Sequence, residues 1–318
     1  MPGSAAVIAF AVALLAVWLL LSRFGRIALD RPNERSLHER PVPRTGGIAV
    51  LLGAAVGGWA GASSLWLPAL CAAALAALSF ADDLRGVPTA LRLAAHLAAA
   101  ALTSWYLLAP AHPLGLALSV LAIAWLTNLY NFMDGSDGLA GGMTVFGFGS
   151  YGVAALSAGH QPLALLSLSL AAAAAAFLIF NFAPARIFLG DVGSVPLGFL
   201  AGALGVAGWR DDVWPWWFPL LVFAPFIADA TLTLCKRALR REPVWRAHRE
   251  HYYQRLVRLG AGHRATALAA YALMLACAGA GLYARGQPPG VQATVLAGAG
   301  ALLAVALVWV DLRWARHR

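Results

Sequence analysis

Apolar residues in this chain come in long runs, and polar residues are confined to the gaps. Eleven runs stand out, at 4–22, 46–62, 65–81, 91–108, 114–130, 139–158, 163–182, 195–209, 215–235, 266–284 and 290–310. A helix crosses the hydrocarbon of a bilayer with roughly 17–25 mostly apolar residues. The runs therefore predict an all-α fold, a polytopic membrane helix bundle of about eleven transmembrane helices, forming one integral membrane domain over 1–318. Run 195–209 is short for a span. Runs 46–62 and 65–81 are rich in Gly and Ala, which suits close helix packing. Run 4–22 is too long for the apolar core of a signal peptide, and no small-residue cleavage site follows it, so it is expected to be retained. No internal repeat of the transporter kind is visible.

Composition agrees. Apolar residues are 61% of the chain and charged residues 12%, far from the balance of a soluble domain. The polar gaps also sort by charge. With the N-terminus periplasmic and the C-terminus cytoplasmic, the cytoplasmic loops are 23–45, 82–92, 131–138, 183–194 and 236–265, followed by the tail 311–318. They hold 21 of the 23 Lys and Arg, leaving Arg210 and Arg285 opposite. That is the positive-inside bias. The net charge of +9 is thus a topological signal, and no nucleic-acid partner is expected. Of the 14 acids, only Asp211 and Asp212 fall on the far side. Cys71, Cys235 and Cys277 lie in or at the ends of apolar runs without metal-binding spacing, and are expected to be small core residues.

Four stretches on the cytoplasmic side carry candidate chemistry. In 127–142, Asn128, Asn131, Asp134 and Asp137 are spaced by three, which would stack them on one face of a helix end. Carboxylates are costly in hydrocarbon and are kept for work at its edge. Gly135 and Gly138 let backbone approach a ligand. The plain alternative is a turn whose Asn and Asp bond local backbone. Second, the adjacent Asp82 and Asp83 repel each other and call for a divalent cation or a basic partner, unless they are a solvated pair capping the next helix. Third, Asp191 sits between Gly190 and Gly193, before Ser194. A helix start of this kind favours an anion, and Asp191 offers a hard oxygen to Mg²⁺. Phe188 offers a stacking face for a base, and Ser194 is a candidate N-cap. Fourth, loop 236–265 gathers Arg246, His248, Arg249, His251, Gln254, Arg255 and Arg258, suited to phosphate groups or to anionic lipid headgroups. His248 and His251 lack a third ligand at zinc spacing. Neutral imidazoles would hydrogen-bond a sugar or diphosphate, and protonated ones would add attraction near pH ~6.5. Arg44, before Gly46 and Gly47, marks another anion-friendly helix start. Asp229, inside the ninth run, is either functional or paired with a base such as Arg237.

Taken together, residues 43–47, Asp82 with Asp83, 128–138, 181–194 and 248–255 resemble the polyprenyl-phosphate N-acetylhexosamine-1-phosphate transferases, the WecA/MraY superfamily of glycosyltransferase family 4. The resemblance implies an enzyme of the bacterial inner membrane with its active site on the cytoplasmic face. Such enzymes move a sugar 1-phosphate from a UDP-N-acetylhexosamine to undecaprenyl phosphate in the bilayer, releasing UMP. They require Mg²⁺, with Mn²⁺ as an alternative. The resemblance makes Asp191 the metal ligand and puts Asp82 and Asp83 beside the lipid phosphate, one of them a candidate base. Asn131 and Asp134 fall near metal and pyrophosphate, Phe188 and Asp137 at the uracil, with Asn181 close by, and His248 and His251 near sugar or diphosphate. Arg85 takes the place of the basic residue after the aspartate pair, and Arg92 begins the next span. Arg44, Asn128 and Arg255 complete the expected substrate contacts. The His-x-x-His-x-Tyr-Gln-Arg loop departs from the three consecutive histidines usual in the peptidoglycan branch. It favours the WecA/WbpL-like branch that starts O-antigen, capsule or related glycans. A homodimer is an open assembly. The competing class is a secondary transporter, whose ionisable residues would sit near the bilayer midplane.

Overall fold

The computed structural model describes residues 2–25, 28–30, 37, 41–58, 63–109, 112–244, 246 and 248–317. Much of loop 23–45, including Glu34 and Glu39, and the end of run 46–62 lie outside the described residues. The fold is a polytopic membrane helix bundle. Its helices are α1 (Pro2–Arg23), α2 (Gly46–Gly58), α3 (Trp66–Arg85), α4 (Thr89–Leu108), α5 (Pro113–Phe132), α6 (Leu139–Ser157), α7 (Gln161–Asn181) and α8 (Asp191–Arg210). They continue with α9 (Trp217–Val222), α10 (Ala224–Leu239), α11 (Tyr252–Leu256), α12 (Gly262–Ala284) and α13 (Pro289–His317). Two-residue strands, β1 (Leu29–Asp30) and β2 (Val42–Pro43), pair antiparallel in the first loop.

Each of the eleven predicted runs carries helix. Among the described residues, nine helices are long and apolar enough to cross a bilayer. The other two runs differ from expectation. The second contributes the 13-residue α2. The ninth is split into α9 and α10 at Phe223, because Pro225 follows in the first turn of α10. Proline supplies no N–H and so suits a helix start, not an interior. The short eighth run gains its length from polar residues, since α8 begins at Asp191 rather than at 195.

α8 is the enclosed axis of the bundle, buried almost throughout. Its glycines set how closely its neighbours come. A Cβ on Gly198 would lie 2.4 Å from the Leu126 carbonyl oxygen of α5, and one on Gly47 would lie 2.2 Å from Gly193 Cα. Those contacts pack the first turns of α2 and α8 together and hold α5 against α8. On the outside, Leu15, Trp18, Leu118, Leu121, Val305 and Trp309 are exposed, as expected of side chains facing lipid.

Candidate active site

The site starts where α3 ends. Asp82 and Asp83 stand in its last turn, and Gly86, at φ 71°, reverses the chain. Val87 N–H donates to Asp82 Oδ1 at 2.6 Å, and Arg92, one turn into α4, reaches Asp82 Oδ2 with Nη1, also at 2.6 Å. The same Nη1 lies 3.8 Å from Asp191 Oδ2. Arg44 approaches Asp83 Oδ1 with Nη2 at 3.4 Å. The reversal turns Arg85 away from the aspartates. That residue continues α3 outward and is exposed, and Arg92 and Arg44 are the bases that meet the aspartates.

Two turns are stitched together beneath these charges. Gly46 N–H donates to the Phe188 carbonyl, Phe188 N–H to the Pro43 carbonyl, and Gly47 N–H to the Leu189 carbonyl, at 2.9, 2.7 and 2.8 Å. Gly190 has φ 73°, and a Cβ there would meet the Arg44 carbonyl oxygen at 2.1 Å, so only glycine fits. Its N–H donates to Asp134 Oδ2 at 3.2 Å. Asn131 Nδ2 donates to Asp191 Oδ2 at 3.4 Å, and Ser194 Oγ donates to Asn131 Oδ1 at 2.9 Å. Ser194 is therefore not the cap of α8. Gly190 holds that position, without a side-chain bond.

The single helical face predicted for Asn128, Asn131, Asp134 and Asp137 does not form, because α5 stops at Phe132. Only the two asparagines are helical. Asn128 is engaged within the scaffold: Nδ2 donates to the Ala124 carbonyl at 2.7 Å and Oδ1 lies 3.2 Å from His96 Nδ1. Asp137, expected at a uracil, takes the Ala185 N–H at 3.0 Å and faces His263 at 3.7 Å. Asn181 joins two turns, accepting from Gly138 N–H at 3.0 Å and donating to the Ile187 carbonyl at 2.9 Å. Phe188 is half-buried, with its backbone in the stitch described above.

The pocket has four carboxylates, Asp82, Asp83, Asp134 and Asp191, and two close bases, Arg44 and Arg92. Burial and then the charge of Asp191, with Asp30 and Asp83 adding, hold the Asp134 carboxyl well above the usual range, while the Gly190 N–H opposes them. Asp83 Oδ2 is buried and has no partner among the described residues. Among those residues no three His, Cys, Asp or Glu side chains gather into a complete metal cage. Asp191 and the unpartnered Oδ2 of Asp83 offer hard carboxylate oxygens, and Mg²⁺ is commonly held by one or two carboxylates with substrate phosphates completing the shell. The residues present therefore fit the ion.

The basic loop is built differently from expectation. Arg237, buried, pairs with Glu242 and Glu250, each at 2.8 Å, so it is not the partner of Asp229. Arg240 bonds the same two glutamates, at 2.7 and 2.5 Å. Arg255, expected on substrate, is buried and pairs with Asp311 of α13 at 2.8 Å, between the rings of Tyr252 and Trp314. Arg258 lies over Trp314. His251 is buried, its Nδ1 3.2 Å from Asp229 Oδ1. His248 is half-buried beside it, ring centroids 4.9 Å apart. Burial, then the neighbouring His251 and Arg237, push His248 down to about 4. It is neutral near pH 6.5, so the charge attraction expected of it there is absent. The loop still touches the pocket: Tyr253 donates its hydroxyl to the Phe132 carbonyl at 3.1 Å, and a Cβ on Gly135 would meet that hydroxyl at 2.2 Å.

Sequence reasoning missed His96, His263, Tyr253 and Asp311. The spacing of Arg92 and His96, one helical turn apart, was a usable signal for the first. His263 receives the Ser136 hydroxyl at 2.9 Å and the Asp137 N–H at 3.3 Å on Nδ1, leaving Nε2 to donate to the Leu37 carbonyl at 3.1 Å. Nothing local in the sequence announces that link.

Known proteins bear on this geometry. The model of glycosyl transferase family 4 matches residues 65–209, the stretch from α3 to α8 that contains Asp82, Asp83, Asn131, Asp134 and Asp191. The chain is 31% identical, over 83% of its length and 81% of the relative's, to the "Probable undecaprenyl-phosphate N-acetylglucosaminyl 1-phosphate transferase" of Bacillus subtilis (strain 168). It is 28% identical, over 80% of its length and 74% of the relative's, to the decaprenyl-phosphate N-acetylglucosaminephosphotransferase of Mycobacterium tuberculosis (strain ATCC 25618 / H37Rv). A phospho-N-acetylmuramoyl-pentapeptide-transferase of Moorella thermoacetica is 40% identical, but over 31% of each chain.

Proposed function

Because the chain belongs to glycosyl transferase family 4, we propose that it transfers an N-acetylhexosamine 1-phosphate from a UDP-sugar to undecaprenyl phosphate, releasing UMP. The observation that carries this reading is the acid pocket. Four carboxylates, one of them with a buried oxygen that has no partner among the described residues, and two arginines stand together at one end of a membrane bundle. Relatives named for polyprenyl-phosphate acceptors and N-acetylglucosamine match along 80% or more of the chain. Those named for the muramoyl-pentapeptide reaction match only part of it. That contrast favours a step initiating a lipid-linked glycan over the peptidoglycan step. The four carboxylates stand at or just beyond the ends of α3, α5 and α8, whereas a transporter of the broken-helix kind carries its ionisable residues near the bilayer midplane.

The reaction joins two anions, so positioning and charge neutralisation do most of the work. A lipid phosphate oxygen attacks the β-phosphorus of the UDP-sugar. The new P–O bond forms as the bond to UMP breaks. Arg92 and Arg44 bind phosphate oxygens and keep Asp82 and Asp83 oriented. Asn131 holds Asp191 in place. Asp191 would hold Mg²⁺, with the open oxygen of Asp83 as a second donor. When bound, the ion would offset the charge of the diphosphate and the departing UMP. The proposal puts this end of the bundle at the cytoplasmic face of a bacterial inner membrane, where the soluble donor is found.

Purified full-length protein, given undecaprenyl phosphate, Mg²⁺ and a panel of UDP-N-acetylhexosamines, should release UMP. No release from any of them, with the acceptor present, overturns the proposal. Reporter fusions test the orientation separately. A tag after Arg318 should be cytoplasmic and one before Met1 periplasmic, and both ends on one side would overturn the eleven-span topology.

A further inference from the structure

Asp229 is the buried acid that the proposed reaction leaves unused. It lies in α10, and among the described residues only neutral groups or imidazole bond it. Oδ1 accepts from Tyr252 N–H at 2.9 Å and from Thr233 Oγ at 3.3 Å, and lies 3.2 Å from His251 Nδ1. Oδ2 accepts from Tyr253 N–H at 2.9 Å. These contacts anchor the first turn of α11, which is closed by Gln254 Oε1 accepting from His251 N–H at 3.2 Å. The His251 ring is then held between Phe132 and Tyr253, with centroids 6.2 and 5.9 Å away. Tyr253 in turn bonds the Phe132 carbonyl, next to Asn131, which orients Asp191.

From this arrangement we infer that Asp229 is a positioning residue for the proposed transfer: it fixes His251 as the Nδ1–H tautomer, with Nε2 unprotonated, and seats the histidine loop on the end of α5. A backbone N–H donates to each oxygen of Asp229, so both oxygens act as acceptors. The Gln254 N–H also faces the His251 ring in the capping box but makes no side-chain cap bond, so the ring nitrogen 3.2 Å from Oδ1 donates to Asp229. Which nitrogen of a histidine carries the proton is set by the partner of the other. Asp229 thereby leaves His251 with a lone pair on Nε2, able to accept a hydrogen bond from a sugar or water hydroxyl. An asparagine in place of Asp229 cannot reproduce this. Its amide nitrogen would face either Tyr253 N–H, losing that bond, or His251 Nδ1, reversing the tautomer. The same reversal defines the aspartate-to-asparagine change in a Ser-His-Asp triad.

The inference rests on the proposed reaction for its purpose, but its geometry is tested without turnover. Full-length protein in lipid nanodiscs, labelled with ¹⁵N-histidine, is measured at about pH 8, above the ordinary histidine range. The His251 signal is identified by its loss in His251→Gln. We expect Nδ1 protonated and Nε2 bare, whether or not UMP is released. A protonated Nε2 with a bare Nδ1 overturns the inference. In the UMP assay, Asp229→Asn should lower kcat per folded molecule about 10- to 100-fold, the range for losing a partner that orients a working histidine. The Mg²⁺ dependence should not change. A kcat within about twofold of the parent overturns the positioning role. If Asp229→Asn does not fold, the nitrogen spectrum of the parent protein decides alone.

Discussion

The acid pocket and the histidine loop meet at Phe132, and they treat their charges in opposite ways. In the pocket, four carboxylates face two arginines, and Asp83 keeps an open buried oxygen. In the loop, Arg237 and Arg240 are matched by Glu242 and Glu250, Arg255 and Lys236 by Asp311, and Asp229 by donors on α10 and α11. By charge count the loop looks like the place for phosphate. Among the described residues the one buried carboxylate oxygen without a partner is in the pocket, while Arg237 and Arg255 of the loop each leave only a buried Nε unpartnered. A matched charge fixes backbone, and an unmatched one is available to a ligand. This difference leaves the unpartnered acid oxygen at the ends of α3, α5 and α8, and gives Lys236, Arg237, Arg240 and Arg255 a supporting role in the loop.

The sharpest way to break the comparison is Asp191→Asn. It removes negative charge from a cluster short of cations, so insertion and folding should survive. Turnover should fall by about 10³-fold or more, as when a metal-holding, charge-organising group is lost. UMP release and a melting curve together measure it. Substantial activity at ordinary Mg²⁺ would return the pocket to a structural role.

Next in size is a contrast within the first charged turn. Arg92→Ala leaves Asp82 Oδ2 without its 2.6 Å partner. It should cost about 10- to 100-fold in kcat/KM. Arg85→Ala removes an exposed side chain, and should change kcat/KM by no more than about twofold. Equal losses from the two would mean that the reversal at Gly86 does not decide which base serves the aspartates.

Much of this was legible in the chain. Long apolar runs fix helices, because a backbone in lipid must satisfy its own hydrogen bonds. Asp82, Asp83, Asp134 and Asp191 were visible as acids where none is cheap. What was not legible depended on where helices stop and on contacts between distant segments. The spacing of Asn128, Asn131, Asp134 and Asp137 suggested one face, yet Phe132 ends α5 and sends the two acids elsewhere. Arg255 resembled a phosphate ligand until α13 brought Asp311, 56 residues away in sequence, against it. Local pattern carries periodicity and charge, but not the identity of a partner from another helix.

His248 gives a smaller effect, separable by pH. Its pKa is pushed down from 6.5 to about 4, so the folded protein binds that proton less readily than the unfolded chain does. The stability that depends on its neutral form is complete above about pH 6.5 and is lost as pH falls toward 4. His248→Ala should flatten that part of the stability curve, read by melting temperature across the window. At neutral pH the same variant should raise KM for the UDP-sugar about five- to tenfold, one neutral hydrogen bond's worth. Its Mg²⁺ dependence should stay the same. A changed Mg²⁺ dependence with KM unaltered would move the histidine into the pocket.

The smallest effect on catalysis should come from the best-matched charges. Asp311 takes Arg255 at 2.8 Å, the Tyr252 hydroxyl at 3.0 Å, and Lys236. Arg255 is buried, whereas Asp311 is 31% exposed, so the pair lies between the buried and surface cases. Asp311→Asn should therefore cost about 1–3 kcal/mol of stability, less than a fully buried pair and more than a surface one. KM for the UDP-sugar and kcat per folded molecule should stay within about twofold, because neither partner faces the acid pocket. Arg255→Met combined with Asp311→Leu replaces the pair with apolar groups and should recover part of the loss, since a mismatched survivor is costlier than no pair at all. A double-mutant cycle on melting temperature measures the coupling. If Arg255→Met instead raised KM for the UDP-sugar by tenfold or more at unchanged stability, the loop would be a substrate surface after all, and the division between matched and unmatched charge would fail at its clearest example.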